Sequence, residues 1–301
     1  MRGALTLGPT LAELLAVTLQ RVGGIVRATI QRRDGHPAAT ASRHVKNAHI
    51  WLVGAGPGDP ELLTIKALRA LQTADVILHD QLVSDEILAL APTHVERIDV
   101  GKKGYGRACR QSDINALMVG HACAGRRVVR LKAGDPLMFG RLDEEIAALE
   151  HAGIGYTVVP GISAAQGAAS ALGIGLTRRR GARRFQAITG HAAAGQLPDD
   201  FDWAGLADPK ATTAVYMPRA TIGVLCAELQ RRGLAPSHAA VAVFNATRAD
   251  QQIVGGTLAT LPQRIAAVES GAPCIILIGV RAENHPAKAI ARSPVAACLN
   301  A

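Results

Sequence analysis

The sequence predicts an α/β fold, in which short buried strands alternate with helices. Short apolar runs and helical stretches follow one another between about residues 49 and 280, and this alternation is typical of sheets covered by helices. The chain has 301 residues, of which 49% are hydrophobic and 19% charged, so it can bury a sizeable core. It contains no run of eighteen apolar residues, which predicts that no segment spans a membrane.

A glycine-rich loop separates the first predicted strand from the first predicted helix. The apolar run 50–53 leads into glycines at 54, 56 and 58, and Asp59-Pro60 follows. Asp caps helix N-termini by accepting free amide hydrogens, and Pro suits the first helical position. Such a loop brings the backbone close to a small ligand. The loop departs from the dinucleotide fingerprint G-x-G-x-x-G. Two alternatives remain if the loop is considered alone: a dinucleotide site that uses Asp75 or Asp80, and a tight turn that binds no ligand.

The other elements are predicted from apolar runs for strands and from helical spacing for helices. The predicted strands are 49–53, 76–79, 95–100, 127–132, 156–159, 185–189, 213–217, 240–245, 252–254 and 274–278. The predicted helices are 60–73, 84–90, 111–124, 143–152, 163–171, 220–232 and 258–270. We expect one α/β domain over 49–160, a second over 161–282, and a tail over 283–301.

The first 48 residues differ from the rest in charge. They carry seven Lys and Arg against Glu13 and Asp34, which is +5 of the formal net charge of +9. Residues 11–30 have the pattern of an amphipathic helix, and 31–48 read as a polar linker. A basic start with few acidic residues also resembles an organellar transit peptide. We expect a poorly ordered extension.

Nine motifs in a fixed order carry a family resemblance. They lie at 54–64, 78–83, 100–103, 129–136, 139–141, 159–164, 189–191, 216–217 and 245–247. In order and spacing they resemble the tetrapyrrole methylases, and within that family the uroporphyrinogen-III C-methyltransferase branch. The resemblance implies the tetrapyrrole methylase fold, with two α/β domains and the active site in the cleft between them.

The resemblance also implies an activity and its partners. The expected reaction is methylation of uroporphyrinogen III at C2 and C7 to give precorrin-2, for sirohaem or cobalamin synthesis. S-adenosylmethionine is the implied methyl donor, and no metal is expected. The implied protein is a cytoplasmic homodimer that binds a small tetrapyrrole and neither nucleic acid nor membrane. Only 3% of residues are aromatic, which also disfavours binding nucleic acid by base stacking.

The resemblance also implies catalytic and binding residues, each taken from its position within a motif. The resemblance implies Asp80 as base and Lys102 as acid, although a turn-capping Asp and a solvated loop Lys are the alternatives. It implies that Arg141 binds a substrate carboxylate, since guanidinium pairs bidentately with carboxylates. The implied cofactor contacts are Pro57, Ala133, Gly134, Asp135, Met138, Ser163, Ala164, Met217 and Ala246. Five arginines between 178 and 184 follow a loop that the resemblance places at the cleft, where they would suit a polyanionic substrate.

Departures from the family pattern keep other functions open. Ala133 stands where the family has the first Gly of Lys-Gly-Gly-Asp-Pro, and its methyl group would crowd a ligand if the position needs a positive φ. The usual Thr-His-Arg-Gly is Thr177-Arg178-Arg179-Arg180 here. The alternatives are a sister precorrin methyltransferase, a ribosomal RNA methyltransferase of the same fold, and a binding module without enzymatic activity.

Overall fold

The computed structural model describes residues 48–101, 109–192, 195–268 and 271–281. The expected extension over 1–48 and the tail over 283–301 therefore lie outside the described residues, except for residue 48. The strands are β1 (His49–Gly54), β2 (Val76–His79), β3 (Glu96–Asp99), β4 (Val128–Lys132), β5 (Gly155–Val159), β6 (Arg184–Thr189), β7 (Ala211–Tyr216), β8 (Ala239–Phe244), β9 (Gln252–Thr257) and β10 (Cys274–Ile278). The α-helices are α1 (Ile65–Thr73), α2 (Asp85–Leu88), α3 (Gln111–Cys123), α4 (Leu142–His151), α5 (Ala164–Ala171), α6 (Trp203–Leu206), α7 (Ile222–Arg231) and α8 (Leu261–Ala266).

The first sheet is entirely parallel and has the strand order β3-β2-β4-β1-β5. Residues of α1 and α2 pack on one face, against Val53 and Leu131. Residues of α3 and α4 pack on the other face, against Ile50 and Leu52. Because the strands are parallel, the loops that follow β1, β2, β4 and β5 emerge at one edge, where ligands collect in α/β proteins.

The second sheet is mixed and has the strand order β6-β7-β10-β8-β9. β6 and β7 are parallel, whereas β10 is antiparallel to both of its neighbours, β7 and β8. The carboxyl ends of β6, β7 and β8 therefore share one edge. Helix α5 covers one face of this sheet, and α7 and α8 cover the other. None of the helices in the described ranges is long and apolar enough to cross a membrane.

Most predicted elements are present with ends shifted by one or two residues, but the predicted helix 60–73 is wrong as a single element. Its start is a 3₁₀ turn (Pro60–Leu62) capped by Asp59, whose carboxylate accepts the amide hydrogen of Glu61. Leu63 and Thr64 are then extended, with ψ of 141° and 148°. Thr64 caps a separate helix, α1, through its bond from Ala67 N. The second cap residue, Thr64, therefore divides a segment that the spacing of its apolar residues predicts as one continuous helix.

Three further elements differ from the sequence predictions. The strand predicted over 252–254 is the longer β9, which continues to Thr257. The last helix, predicted over 258–270, is the shorter α8, which begins with Pro at its second position. The short helix α6 was not predicted, and it is capped by Asp202, which accepts a hydrogen bond from Gly205 N. Four residues are too few to show a helical period, so the pattern of apolar residues gives no signal for it.

Candidate functional site

The glycine loop after β1 is fixed by backbone bonds to the end of β4. Ala55 N donates to Lys132 O at 2.8 Å, and Gly56 and Gly134 exchange two bonds at 3.1 and 2.8 Å. The left-handed φ of +69° belongs to Gly134, not to Ala133. The concern about Ala133 is therefore removed at the level of backbone conformation, because the residue that needs a positive φ is still a glycine.

Loops of the second sheet lie directly against this glycine loop. Asp59 N donates to Thr247 Oγ1 at 3.1 Å across 188 residues of sequence. The side chain of Arg248 fills the space where Gly58 has no Cβ, and its Nη2 donates to Leu82 O. The edges of the two sheets therefore meet around residues 54–60 and form the two sides of a cleft.

Backbone strain is concentrated in the loops of this cleft. Among the described residues, five that are not glycine have a positive φ, between 46° and 69°, and they follow β4, β7 and β8. These residues are Phe139, Arg141, Met217, Asn245 and Thr247. Strained backbone persists only where surrounding structure enforces it, and it clusters at functional sites. Its confinement to the cleft supports a functional role for these loops.

The predicted cofactor contacts fall on both sides of the cleft. Gly134 approaches Ala164, the first residue of α5, and Pro57 packs against Gly167 one turn further along that helix. Tyr216 lies between the two sides, since its hydroxyl accepts a bond from Ala165 N at 3.3 Å and its ring lies 4.9 Å from that of Phe139. The structure thus brings the loops after β1, β4 and β7 together with the start of α5.

The other predicted cofactor contacts differ in burial and in whether their side chains already form hydrogen bonds within the protein. Asp135 Oδ1 accepts a bond from Leu137 N at 3.1 Å, so its carboxylate caps the turn after β4. Ser163 caps α5 through Gln166 N and is buried. Ala246 is buried and Met138 half-buried, whereas Met217 is 50% exposed at the end of β7. Met217 is therefore open to a ligand on the second-sheet side.

Asp80 is held at the edge of the cleft by a buried arginine. Asp80 follows β2, and its Oδ1 accepts a bond from Arg130 Nη2. Arg130 is 2% exposed, whereas the Asp80 side chain is 31% exposed. The carboxylate is thus oriented from inside the fold and still accessible from the cleft, as a proton acceptor must be.

The arginine belongs to a buried ionic cluster formed by Asp80, Arg130, Lys132 and Glu145. Glu145 Oε1 accepts bonds from Arg130 Nε and Lys132 Nζ, both at 2.9 Å. Burial opposes the charge of Arg130, but Asp80 and Glu145 outweigh it and hold the pKa of Arg130 above its usual value. Burial and the charge of Arg130 lower the pKa of Lys132, against the opposing effect of Glu145 and Asp80.

Of the other two predicted residues, the acid Lys102 and the substrate ligand Arg141, the structure describes only Arg141. Lys102 lies outside the described residues, but Gly101, the residue before it, packs so closely against Gln81 that a Cβ at Gly101 would overlap the backbone there. Arg141 is exposed, and its guanidinium binds Glu144 with bonds of 2.6 and 2.7 Å. This pairing raises the pKa of Arg141.

The basic cluster between 178 and 184 is not at the cleft, which corrects the sequence expectation. Arg184 begins β6 and pairs with Asp208 just before β7, and Arg178 Nη2 donates to Gly279 O after β10. These positions lie at the edge of the second sheet opposite Met217. A strand of six residues separates the two edges by roughly 17 Å. The cluster therefore does not line the predicted substrate site.

Sequence reasoning missed the ionic cluster and Arg248. Arg130 and Lys132 are two residues apart in an otherwise apolar strand, so they share one face of a buried sheet. That spacing was an available signal for a buried ionic site, because charged side chains are rarely buried without partners. Glu145 and Arg248 carry no comparable local signal.

The family model for Tetrapyrrole (Corrin/Porphyrin) Methylases matches residues 49–262. The chain belongs to the tetrapyrrole methylase family. The match covers both sheets through β9 and includes every predicted site residue.

Individual relatives agree with this assignment. The chain is 49% identical over 230 residues to a sirohaem synthase of Methylococcus capsulatus. The aligned region covers 76% of this chain and 48% of that protein. It is 46% identical over 228 residues to a uroporphyrinogen-III C-methyltransferase of Paracoccus denitrificans, covering 76% and 79%. The chain thus spans about half the length of the sirohaem synthases it matches.

Solved structures of the family share the fold. A uroporphyrin-III C-methyltransferase of Thermus thermophilus, solved with S-adenosylhomocysteine, superposes with a TM-score of 0.65 at 37% identity, covering 77% of this chain and 92% of that one. A cobalt precorrin-4 methyltransferase superposes with a TM-score of 0.69 at 26% identity, covering 84% and 98%. Two methyltransferases named for different tetrapyrroles therefore share this fold.

Proposed function

We propose that this protein methylates uroporphyrinogen III at C2 and C7 to give precorrin-2, with S-adenosylmethionine as methyl donor. The observation that carries the proposal is the partly exposed carboxylate of Asp80, bound by buried Arg130 beside the glycine loop. The name and sequence of the Paracoccus denitrificans relative support C-methylation of uroporphyrinogen III. The product would serve sirohaem or cobalamin synthesis.

The cleft fits a compact cofactor that is held largely by backbone. When bound, S-adenosylmethionine supplies an electrophilic sulfonium methyl group. On the first-sheet side, Pro57 and Ala133 have small side chains. Gly134, whose N–H and C=O are bonded to Gly56, leaves open the space that a side chain would fill. Near Ala246, the buried Oδ1 of Asn245 has no hydrogen-bond partner among the described residues. Such an acceptor suits an ammonium or hydroxyl donor of a ligand, because a buried polar atom without a partner is costly.

Two proton-transfer roles are assigned to the loops after β2 and β3. Asp80 would accept the proton lost from the macrocycle, since its carboxylate is 31% exposed at the end of β2 and is held in place by Arg130. Lys102 would act as the acid. Gly101 packs against Gln81, so the chain leading to Lys102 starts beside the Asp80 turn.

Arg141 would bind a peripheral carboxylate of the macrocycle, which carries eight. Its planar guanidinium makes two parallel bonds to Glu144 in this structure. A substrate carboxylate would replace Glu144 with the same geometry, which is the geometry that guanidinium groups favour. Exposed Leu137 and Phe139 precede Arg141 and offer apolar surface to the rings.

The deciding experiment is an anaerobic assay with uroporphyrinogen III and S-adenosylmethionine, read by product mass and absorbance. We expect two methyl groups per macrocycle. Asp80→Asn preserves shape but removes proton acceptance, so the rate should fall about 100-fold or more, with S-adenosylhomocysteine affinity unchanged by calorimetry. Asp208→Asn, at the far edge, is the matched control and should retain the wild-type rate. Full activity of Asp80→Asn would contradict the assigned base.

A sister precorrin methyltransferase is the second candidate. The likeness to cobalt precorrin-4 methyltransferase favours it, because the same two-sheet cleft there belongs to a protein named for another acceptor. Two results together would establish this alternative. The protein would bind the cofactor without methylating uroporphyrinogen III, and it would methylate a precorrin when given one.

The proposed assembly is a cytoplasmic homodimer of chains with two α/β domains. The change from the first sheet to the second between Val159 and Arg184 supports a domain boundary near residues 160–161. Light scattering of the purified protein tests the dimer, with a monomer mass as the contradicting result.

A further inference from the structure

Glu145 is a fully buried carboxylate to which the proposed function assigns no role. Its side chain on α4 is 0% exposed. One oxygen, Oε1, accepts bonds from Arg130 and Lys132, and Gln111 Nε2 lies 3.4 Å from it. The other oxygen, Oε2, has no hydrogen-bond partner among the described residues.

The partners of Oε1 indicate that charge is what this position supplies, because both of them are cations. Burying a carboxylate is costly, and leaving one of its oxygens unbonded adds to the cost. Two cations on β4, Arg130 and Lys132, are also buried and need counter-charges. Glu145 and Asp80 together neutralise them, and only Glu145 contacts both.

Arg130 connects Glu145 to the cleft. Its Nε binds Glu145, its Nη2 binds Asp80, and its Nη1 donates to Leu131 O at 3.2 Å and Leu78 O at 3.4 Å. A guanidinium is planar and rigid, so the bond at Nε sets the direction in which Nη2 points. Together with the two backbone bonds of Nη1, the bond to Glu145 therefore fixes where Arg130 holds the carboxylate of Asp80.

We propose that Glu145 is a positioning residue, which acts through Arg130 to orient Asp80 for proton transfer. The assignment rests on the proposed function, because it takes Asp80 as the proton acceptor. Glu145 itself is fully buried on α4, so it does not line the open cleft.

The test compares Glu145→Gln with Glu150→Gln, an identical substitution at an exposed position of the same helix. Glu145→Gln keeps the shape but removes the charge that binds both cations. We expect kcat to fall about 10-fold or more, with KM for S-adenosylmethionine and the affinity for S-adenosylhomocysteine within about threefold of wild type. Glu150→Gln should keep the wild-type kcat.

A double-mutant cycle separates positioning from a merely structural role. If Glu145 acts through Asp80, adding Glu145→Gln to Asp80→Asn should lower the residual kcat no further. Losses that multiply would overturn the assignment. Should Glu145→Gln fail to fold, Lys132→Met/Glu145→Gln removes one charge of each sign, and the same loss of kcat is expected from it.

The outcomes also separate this inference from the proposed function. An active wild type with an equally active Glu145→Gln overturns the inference and leaves the function standing. A wild type that methylates no tetrapyrrole overturns the function, and the positioning role with it.

Discussion

Three glycines bring the backbones of the first sheet's loops into direct contact. A Cβ on Gly54 would lie 2.6 Å from Gly161 N and 2.8 Å from Gly134 O, and a Cβ on Gly161 would overlap Gly134 O. Gly54 is the last residue of β1, and Gly134 and Gly161 follow its two parallel neighbours, β4 and β5. Side chains at these positions would push apart the loops that form one wall of the cleft.

The prediction at this scale is that Gly161→Ala lowers the free energy of unfolding. Its methyl group meets backbone that cannot move easily, so the loss should be about 1–3 kcal/mol. Gly120→Ala is the matched control, because Gly120 lies in α3 with nothing within 4 Å of an added Cβ. That change should stabilise the protein by about 0.5–1 kcal/mol. Urea unfolding measures both, and equal effects of the two substitutions would contradict the contact argument.

Neighbouring strands of the first sheet are also joined at the edge away from the cleft. Asp75, just before β2, accepts three bonds from Arg127, just before β4, at 2.7–3.2 Å. The side-chain and backbone bonds from Arg127 lower the pKa of Asp75 from 3.8 to about 2. Asp75 therefore joins two strands at the edge away from the glycine loop, where it does not suit the dinucleotide site considered from the sequence.

This pair predicts a pH dependence of stability. The pKa of Asp75 is lowered by folding, so its contribution is present above about pH 4 and is lost as the pH falls through about 2. The side chain is 37% exposed, so solvent screening limits the contribution to about 1 kcal/mol or less. The stability difference between wild type and Asp75→Asn should shrink over that range in urea unfolding. A difference independent of pH would contradict the linkage.

The two sheets are connected across the cleft by the loop after β8. Thr247 accepts a bond from Asp59 N, and Arg248 packs along Gly58 and donates to Leu82 O. Leu82 lies two residues after Asp80, so one loop of the second sheet contacts both the glycine loop and the proposed base's turn. The relative position of the two cleft walls depends on this loop.

Arg248→Met is therefore expected to weaken S-adenosylhomocysteine binding. Methionine preserves the apolar packing against Gly58 but loses the bond to Leu82 O. One hydrogen bond contributes about 0.5–1.5 kcal/mol, so affinity should fall about 2- to 10-fold by calorimetry. The matched control is Arg264→Met, which loses a bond to Gly255 O within the second sheet and should bind normally. Equal affinities of the two variants would contradict the bridging role.

Local features of the sequence determined the α/β alternation, the cap at Asp59 and the order of the cleft motifs. Periodicity and caps depend on neighbouring residues, which is why 76–79 and 274–278 are observed as predicted. The predicted helix 60–73 failed because Thr64 forms a second cap, a choice that spacing does not reveal.

Only the tertiary structure decided which distant groups meet. The parallel pairing of β6 with β7 places the arginines between 178 and 184, which precede or begin β6, at the far edge, and no local pattern specifies that pairing. Glu145 on α4 bonds to Arg130 on β4, and Thr247 bonds to Asp59, which is 188 residues away in the sequence. Both bonds join separate elements. Such contacts form because buried charges and amides need partners, and folding alone determines which partners lie within reach.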